Sequence, residues 1–343
     1  MLSSVVSLVS LAAISLAGGQ TGRLTSREES VWQRMEPSVA TLVDHDRILG
    51  AAALIDDSGL FVAGQIPTNP GTVEGRLGNG QRLRMKVIRQ DEDTGLVLLQ
   101  AEHWVAGDAR PFSAPMEEEQ PGGRLLAVLK TGPIRAEFVS SHHYGVLGRS
   151  HRLVPLSEFR FEAPAETIGS ALIFCENGEI IGALSATLRR REIPPAYGDG
   201  LTQIRPGLNL PRNLDQHPLV IGPSEMTVAY TVGPEVVRQV IEGFRTPSHE
   251  VSYPSLGVLC VDNIGGGAVI EKIQRGSAAA KAGLKVGDVI QDIGETYIRD
   301  QVAFAKVMFH QQIGSRVMIR ISRGREVLLR EVTIGRSLGH DKE

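Results

Sequence analysis

Apolar and polar positions alternate in short runs along most of the chain, at the period of two that marks a half-buried strand. Val39, Thr41 and Val43 form one such run within EPSVATLV, behind a short helix-like stretch around VWQRM. GAAALIDDSGLFVAG then reads as two strands around the turn DDSG (56–59), and VEGRLGNGQRLRMKVIRQDEDTGLVLLQA continues with a second tight turn at GNG (78–80). GGRLLAVLKTGP and AEFVSSHHYGVLGRS predict two further strands, and ALIFCENGEIIGALSAT predicts a hairpin turning at Asn177-Gly178. VAYTV resumes a strand, and PEVVRQVIEGFR carries the amphipathic spacing of a helix with proline in its first turn. Regularly spaced strands with turn signals between them predict a mostly β architecture of antiparallel barrels or sandwiches.

Two stretches break this rhythm. Arg189–Met226 holds six prolines and no sustained periodicity, which predicts an exposed insertion with a functional role or none of its own structure. From about residue 250 a separate unit begins. GSAAAKAGLKVGDVIQDIGETYI gives a short helix of small residues, a Gly-Leu turn and a Gly-Asp turn before a strand, a helix follows at about 301–312, and RVMIRISR and EVLLREVTI flank a turn at Gly324.

Composition narrows the function classes. The 343 residues suffice for two or three domains, and 42% hydrophobic with 22% charged residues is ordinary for a globular chain. The 38 glycines and 18 prolines agree with many turns. A net charge of −3 supplies no basic field for nucleic acid, and Arg189-Arg190-Arg191 reads as a solvated loop. No Cys, His and carboxylate cluster has metal-ligand spacing, and no cofactor motif occurs. Residues 2–17 are uncharged and mostly apolar, shorter than a typical transmembrane span, and end in small residues near Ala17 or Gly19. This predicts an export leader over 1–19, with an uncleaved membrane anchor as the alternative. LAGG has no cysteine after it, so no lipid attachment is expected. Cys175 and Cys260 fall in separate units and read as buried free thiols.

GSAAAKAGLKVGDVI resembles the PDZ domain of the exported HtrA-type (DegP-like) serine proteases. The Ala278–Ala282 helix needs small residues for close packing, Gly283 ends it, and Asp288 is placed to bind backbone amides at the Gly287 turn. YPSLGV (253–258) is similar to the family's carboxylate-binding loop, whose N–H groups capture a peptide C-terminus. Upstream, EPSVATLV, GAAALIDDSGLFVAG, LLAVLKTGP, FVSSHHYGVLGRS and VAYTVGPEVVRQVIEGF resemble successive elements of the protease domain. The resemblance implies a trypsin-like pair of six-stranded antiparallel β-barrels over 28–245, with 189–226 inserted, followed by a PDZ domain over 250–336. It implies as peptide-binding residues Ser255, Leu256, Gly257 and Val258, with Ala305, Met308 and Phe309 as candidate pocket residues on the following helix. It also implies a homo-oligomer, a trimer in the family's usual form, in the periplasm or cell envelope and working in protein quality control.

The family's catalytic letters are replaced. Its base histidine stands in a TNxHV-like turn, where VAGQIPTN places Ile66 with Gln65 beside it. Its aspartate closes a DxxxD pair, where DEDTGLVLL keeps Asp91 but has Gly95 at the catalytic position. Its nucleophile stands in GNSGGPL, where ETIGSAL has Ile168. Ser170 sits two residues downstream, and Glu166 replaces a glycine of the oxyanion turn. A serine without a base within reach is a poor nucleophile. His45 lies in a strand-turn region, and His142 and His143 point to opposite faces of one strand, so neither rebuilds a triad nor chelates a metal simply. The expectation is a non-catalytic scaffold that binds peptide C-termini. The alternatives are an active serine endopeptidase using Ser170 as displaced nucleophile, and a chaperone-like or regulatory partner of an active paralogue.

Overall fold

A computed structural model describes residues 24–64, 66, 71–91, 93–114, 125–147, 152–164, 167–188 and 226–337. The leader (1–19), Gln65, Glu166, the side chain of His142 and the insertion up to residue 225 lie outside the described residues.

The chain opens with helix α1 (Ser26–Met35), whose start is fixed by a capping box. Thr25 accepts from the Glu28 N–H, and the Glu28 carboxylate accepts from the Thr25 N–H at 2.7 Å. Six strands follow: β1 (Val39–Asp44), β2 (Arg47–Asp56), β3 (Leu60–Ala63), β4 (Thr72–Leu77), β5 (Arg82–Gln90) and β6 (Val97–Ala101). They close into a barrel in the order β1-β2-β3-β6-β5-β4, all neighbours antiparallel. The DDSG turn forms between β2 and β3, with the Ser58 N–H donating to Asp56 Oδ1 at 2.8 Å and Gly59 at φ +86°. Leu42, Leu54, Phe61, Met85 and Leu99 fill the barrel.

The second barrel comprises β7 (Leu125–Leu129), β8 (Gly132–Leu147), β9 (Arg152–Glu162), β10 (Leu172–Cys175), β11 (Ile180–Leu188) and β12 (Met226–Val232), in the order β10-β11-β12-β9-β8-β7. Phe138, Phe159, Phe161 and Ile173 lie in its interior cluster. The sequence pattern above did not include β9. Pro155 sits inside it, opposite Tyr144, and Glu158 is a buried polar residue, so its alternation is broken twice. Helix α2 (Pro234–Arg245) follows β12 and returns to the first barrel, where Arg245 donates to the carbonyl oxygens of Ile55 at 2.7 Å and Phe112 at 2.9 Å.

The last unit contains β13 (Pro254–Ser255), β14 (Val258–Asp262), β15 (Ala268–Ile273), α3 (Ala278–Lys281), β16 (Val289–Ile293), β17 (Thr296–Tyr297), α4 (Gln301–Phe309), β18 (Arg316–Arg323), β19 (Glu326–Thr333) and β20 (Gly335–Arg336). Its main sheet runs β14-β15-β16-β18-β19 with β17 on β16, and β13 pairs with β20. Ile270, Ile290, Ile319 and Ile321 form its core. A separate apolar cluster joins all three units. It runs from Val31 and Leu98 through Leu126, Leu156 and Phe244 to Tyr253 and Phe309. The two barrels and the last unit thus share one continuous interface.

Candidate functional site

The three positions that the resemblance aligns with the family's triad lie on different elements of the barrels. Ile66 follows β3, is 6% exposed and packs into the first barrel's core. Gly95 stands in the turn between β5 and β6 at φ +77°, its N–H donating to the Asp91 carbonyl oxygen at 2.8 Å. Ile168 is 1% exposed and belongs to the second barrel's interior cluster. Burying two aliphatic side chains here is favourable in itself, and neither can accept or hold a proton.

Ser170 lies two residues further on, just before β10. It is 1% exposed, and its backbone bridges the barrels: its N–H donates to the Leu49 carbonyl oxygen and its carbonyl oxygen accepts from the Ala51 N–H, both at 2.8 Å. Its Oγ donates to the Ala51 carbonyl oxygen at 3.4 Å. The two approaches that allow this are made by glycines. At Gly50 an added Cβ would come within 2.4 Å of the Ser170 backbone, and at Gly169, with φ +62°, within 2.3 Å of the Leu49 carbonyl oxygen.

Among the described residues Ser170 Oγ meets no imidazole. His45 is exposed and pairs with Asp44 at 2.9 Å, and His249 bonds the Phe244 carbonyl oxygen at 2.6 Å. His143 lies 2.9 Å from Glu158 and edge-on to Tyr230. Among the described residues, no group of three His, Cys, Asp or Glu converges as a metal site would require.

The turn that carries Gly95 is organised by Asp91. Its Oδ2 accepts from the Thr94 N–H at 2.8 Å, from Thr94 Oγ1 at 2.6 Å and from the Tyr253 hydroxyl at 2.7 Å. Burial raises the Asp91 carboxyl above its ordinary range, the hydrogen bonds from Thr94 and Tyr253 pull it back, and Asp93 adds repulsion in the raising direction.

The candidate peptide site begins one residue after Tyr253. Pro254 and Ser255 are held by pairing with β20. Ser255 Oγ accepts from the Gly257 N–H at 2.9 Å, the Leu256 carbonyl oxygen accepts from Ala279 of α3, and the Gly257 carbonyl oxygen accepts from the Gln274 N–H. Gly257 sits at φ +71°, and an added Cβ would meet Ser277 Cβ at 2.3 Å. Leu256 is buried in the core below the loop, and half-buried Val258 opens β14. Among the described residues β14 pairs with β15 alone, which leaves one edge of the main sheet next to α4. The start of α4 is fixed to the end of β14 by the Gln301 N–H donating to Asp262 Oδ1 at 2.9 Å, and its cap is Asp300, accepting from Ala303.

Helix α4 lies between this sheet on one side and β8, β9 and α2 on the other. Its three candidate pocket residues therefore separate. Ala305 is buried, and Met308 packs into the core of the last unit. Phe309 is the exception and corrects the expectation made for it. It belongs to the apolar cluster shared with the barrels, with its ring edge-on to Tyr253 at 5.7 Å, so it is a docking residue rather than a pocket wall. Helical spacing gives Met308 and Phe309 equal claims from sequence; only the neighbour on the far side of α4 divides them.

Two further features fit the motif readings. Asp288 is fully buried, accepts from the Lys285 N–H at 2.8 Å and receives the Arg323 guanidinium in a two-point contact at 2.7 and 2.9 Å. Burial alone would raise its carboxyl, but Arg323 and the Lys285 amide outweigh that and hold it below its ordinary value. Cys175 and Cys260 are both buried and form no disulfide with each other, Cys175 Sγ reaches Glu179 Oε2 at 3.9 Å, and burial pushes the Cys260 thiol up to about 12.

A trypsin-like double barrel followed by a sheet-and-helix unit with a carboxylate-loop sequence defines the class, and the comparisons agree with it. Residues 254–334 match the PDZ domain family. Two curated relatives are both described as "Serine protease Do-like HtrA". The one from Lactococcus lactis subsp. cremoris (strain MG1363) is 24% identical over 289 residues, covering 76% of this chain and 63% of the relative. The one from Lactobacillus helveticus is 23% identical over 295 residues, covering 77% of this chain and 63% of the relative. The match thus spans under two thirds of the relatives' length. Among solved structures, "HtrA-type protease AlgW with decapeptide" superposes with a TM-score of 0.61 at 13% identity, covering 92% of this chain and all of that one. The serine endoprotease from Yersinia pestis gives 0.53 at 13% identity, covering 92% of this chain and 99% of that one. The chain has the fold of the HtrA-type proteases, two trypsin-like barrels and a PDZ domain, and is similar to them over most of its length.

Proposed function

We propose that this chain is an exported, HtrA-like scaffold that captures peptide C-termini through its PDZ domain and hydrolyses no peptide bond. The observation that carries the reading is the set of side chains at the triad-equivalent positions: Ile66 and Ile168, both buried, and Gly95, with no group able to move a proton. Triad members act as a unit, so the loss of base, orienter and nucleophile together removes nucleophilic chemistry rather than weakening it. Peptide capture is supported by the preserved loop, in which Gly257 takes the left-handed conformation beside an open sheet edge. It is further supported by the peptide-bound state that the AlgW structures describe. Export follows from the leader-like 1–19, and a trimer from the family resemblance.

A second reading is a serine endopeptidase with Ser170 as nucleophile, favoured by the relatives' description as serine proteases. Cleavage of casein by the purified chain separates the two, and the scaffold reading expects none. Suppression of aggregation of an unfolded client would instead indicate the chaperone-like role. Binding is tested with an apolar peptide carrying either a free or an amidated C-terminus. Capture of the carboxylate requires the free form to bind more tightly, and equal binding contradicts it.

A further inference from the structure

The contact between Asp91 and Tyr253 plays no part in either reading of function, yet it spans two units at a critical place. Tyr253 immediately precedes the peptide loop and is 4% exposed; Asp91 is 7% exposed and organises the turn that holds Gly95. We propose that this pair is an acid-tightened latch that docks the PDZ domain on the first barrel.

The geometry makes Tyr253 the centre of the dock. Its hydroxyl reaches the first barrel at Asp91, its ring meets Phe309 of α4, and its carbonyl oxygen accepts from the Ser337 N–H at 2.8 Å at the end of the PDZ domain. The linker before it is fastened by Gln239 of α2, which donates to the Ser252 carbonyl oxygen at 2.8 Å. Parting the two units returns a buried carboxyl and a buried phenol to water, and breaks one of three hydrogen bonds converging on Asp91 Oδ2.

The dependence on acid follows from where Asp91 gains or loses its charge. Docked, burial raises its carboxyl; undocked, water relieves that penalty while the Thr94 bonds within the turn go on lowering it. The group raised in the docked state contributes to docking fully below the ordinary carboxylate range, and that contribution is lost as pH rises through the raised value. The surrounding charges do not reverse this sign. Asp93, on the same turn, raises the carboxyl further, and the exposed Arg89–Glu250 pair at 3.8 Å joins β5 to the linker. On α4 the ionisable neighbours of Phe309 are Lys306 and His310, and His310 meets Arg238 of α2 at 3.5 Å. Tyr253 itself, its phenol pushed well up by burial and by Asp91, stays a donor throughout.

The latch is tested without peptide or substrate, so its failure is distinct from failure of the scaffold reading. Hydrogen exchange of the full chain is followed at 246–258 and 91–96, corrected for intrinsic rates, at about pH 4, near the ordinary carboxylate value, and at about pH 8. Protection of both segments is expected to be greater at the lower pH. Tyr253→Phe is expected to raise exchange in both segments together by about tenfold or more, with β2 and β10 unchanged. Asp91→Asn is expected to abolish the pH dependence. Exchange that rises in one segment alone, or not at all, or a pH dependence that survives Asp91→Asn, overturns the latch. If Tyr253→Phe does not fold, the wild-type profile decides: equal protection at the two pH values overturns it.

Discussion

Ser170 Oγ donates its hydrogen bond to the carbonyl oxygen of Ala51, across the seam between the two barrels, while the Ser170 backbone exchanges two further bonds with β2. The hydroxyl is thus turned toward a main-chain acceptor, and the residue serves as a stitch. Ser170→Ala is expected to keep the backbone bridge and cost about 1 kcal/mol or less, the size of one long neutral hydrogen bond. Ser170→Val adds bulk at a position that is only 1% exposed between the barrels, and is expected to cost more. Urea unfolding of the two variants checks the order.

Gly257 is required by both its conformation and its neighbour. Gly257→Ala forces a side chain into the left-handed region and against Ser277, costing roughly 1–3 kcal/mol. The loop then moves, and affinity for a free-carboxylate peptide is expected to fall by about tenfold or more, since each 1.4 kcal/mol is tenfold. Titration calorimetry with the same peptide on both proteins provides the check.

Phe309 faces the barrels, so its truncation should separate stability from binding. Phe309→Ala removes a buried ring from the shared cluster and is expected to cost about 3–5 kcal/mol in the full chain. Peptide affinity is expected to change little. A peptide affinity that collapses while the unfolding midpoint holds would return Phe309 to the pocket.

Asp288 sets an opposite pH response from Asp91. Its carboxyl is held low in the folded PDZ domain, so its contribution is present above the ordinary carboxylate range and lost as pH falls through the lowered value. Asp288→Asn breaks the two-point contact with Arg323 and is expected to cost roughly 1–3 kcal/mol near neutral pH. The difference between wild type and variant should shrink in acid, which thermal unfolding across a pH series measures.

Local pattern made much of this fold legible. The turns at DDSG, GNG and Asn177-Gly178 fall where short polar and glycine residues interrupt apolar runs, and α2 begins at the proline that suits a first helical turn. β9 was hidden because Pro155 reads as a strand breaker and Glu158 as a solvent-facing residue, whereas Pro155 pairs with Tyr144 of the preceding strand and Glu158 is buried between Ser140 of β8 and Tyr230 of β12. At the site, substitution by Ile66, Gly95 and Ile168 could be read by resemblance, but not the burial that locks the two isoleucines inside the barrels. Asp91 was visible only as the retained half of a carboxylate pair. Its partner lies 162 positions away, and the preference of Phe309 for the barrels over the peptide groove depends on the same interface.

The central claim, that this double barrel carries no serine nucleophile, is tested most directly by a fluorophosphonate probe. The probe labels a serine only when a base has activated its hydroxyl. Purified wild-type chain, treated beside a known active serine protease, is expected to remain unlabelled and to leave an unfolded substrate intact. Ile168→Ser is expected to stay equally silent, because Ile66 supplies no imidazole to take the proton. Stoichiometric labelling of the wild type that disappears in Ser170→Ala would contradict the claim and make Ser170 the nucleophile of an active endopeptidase.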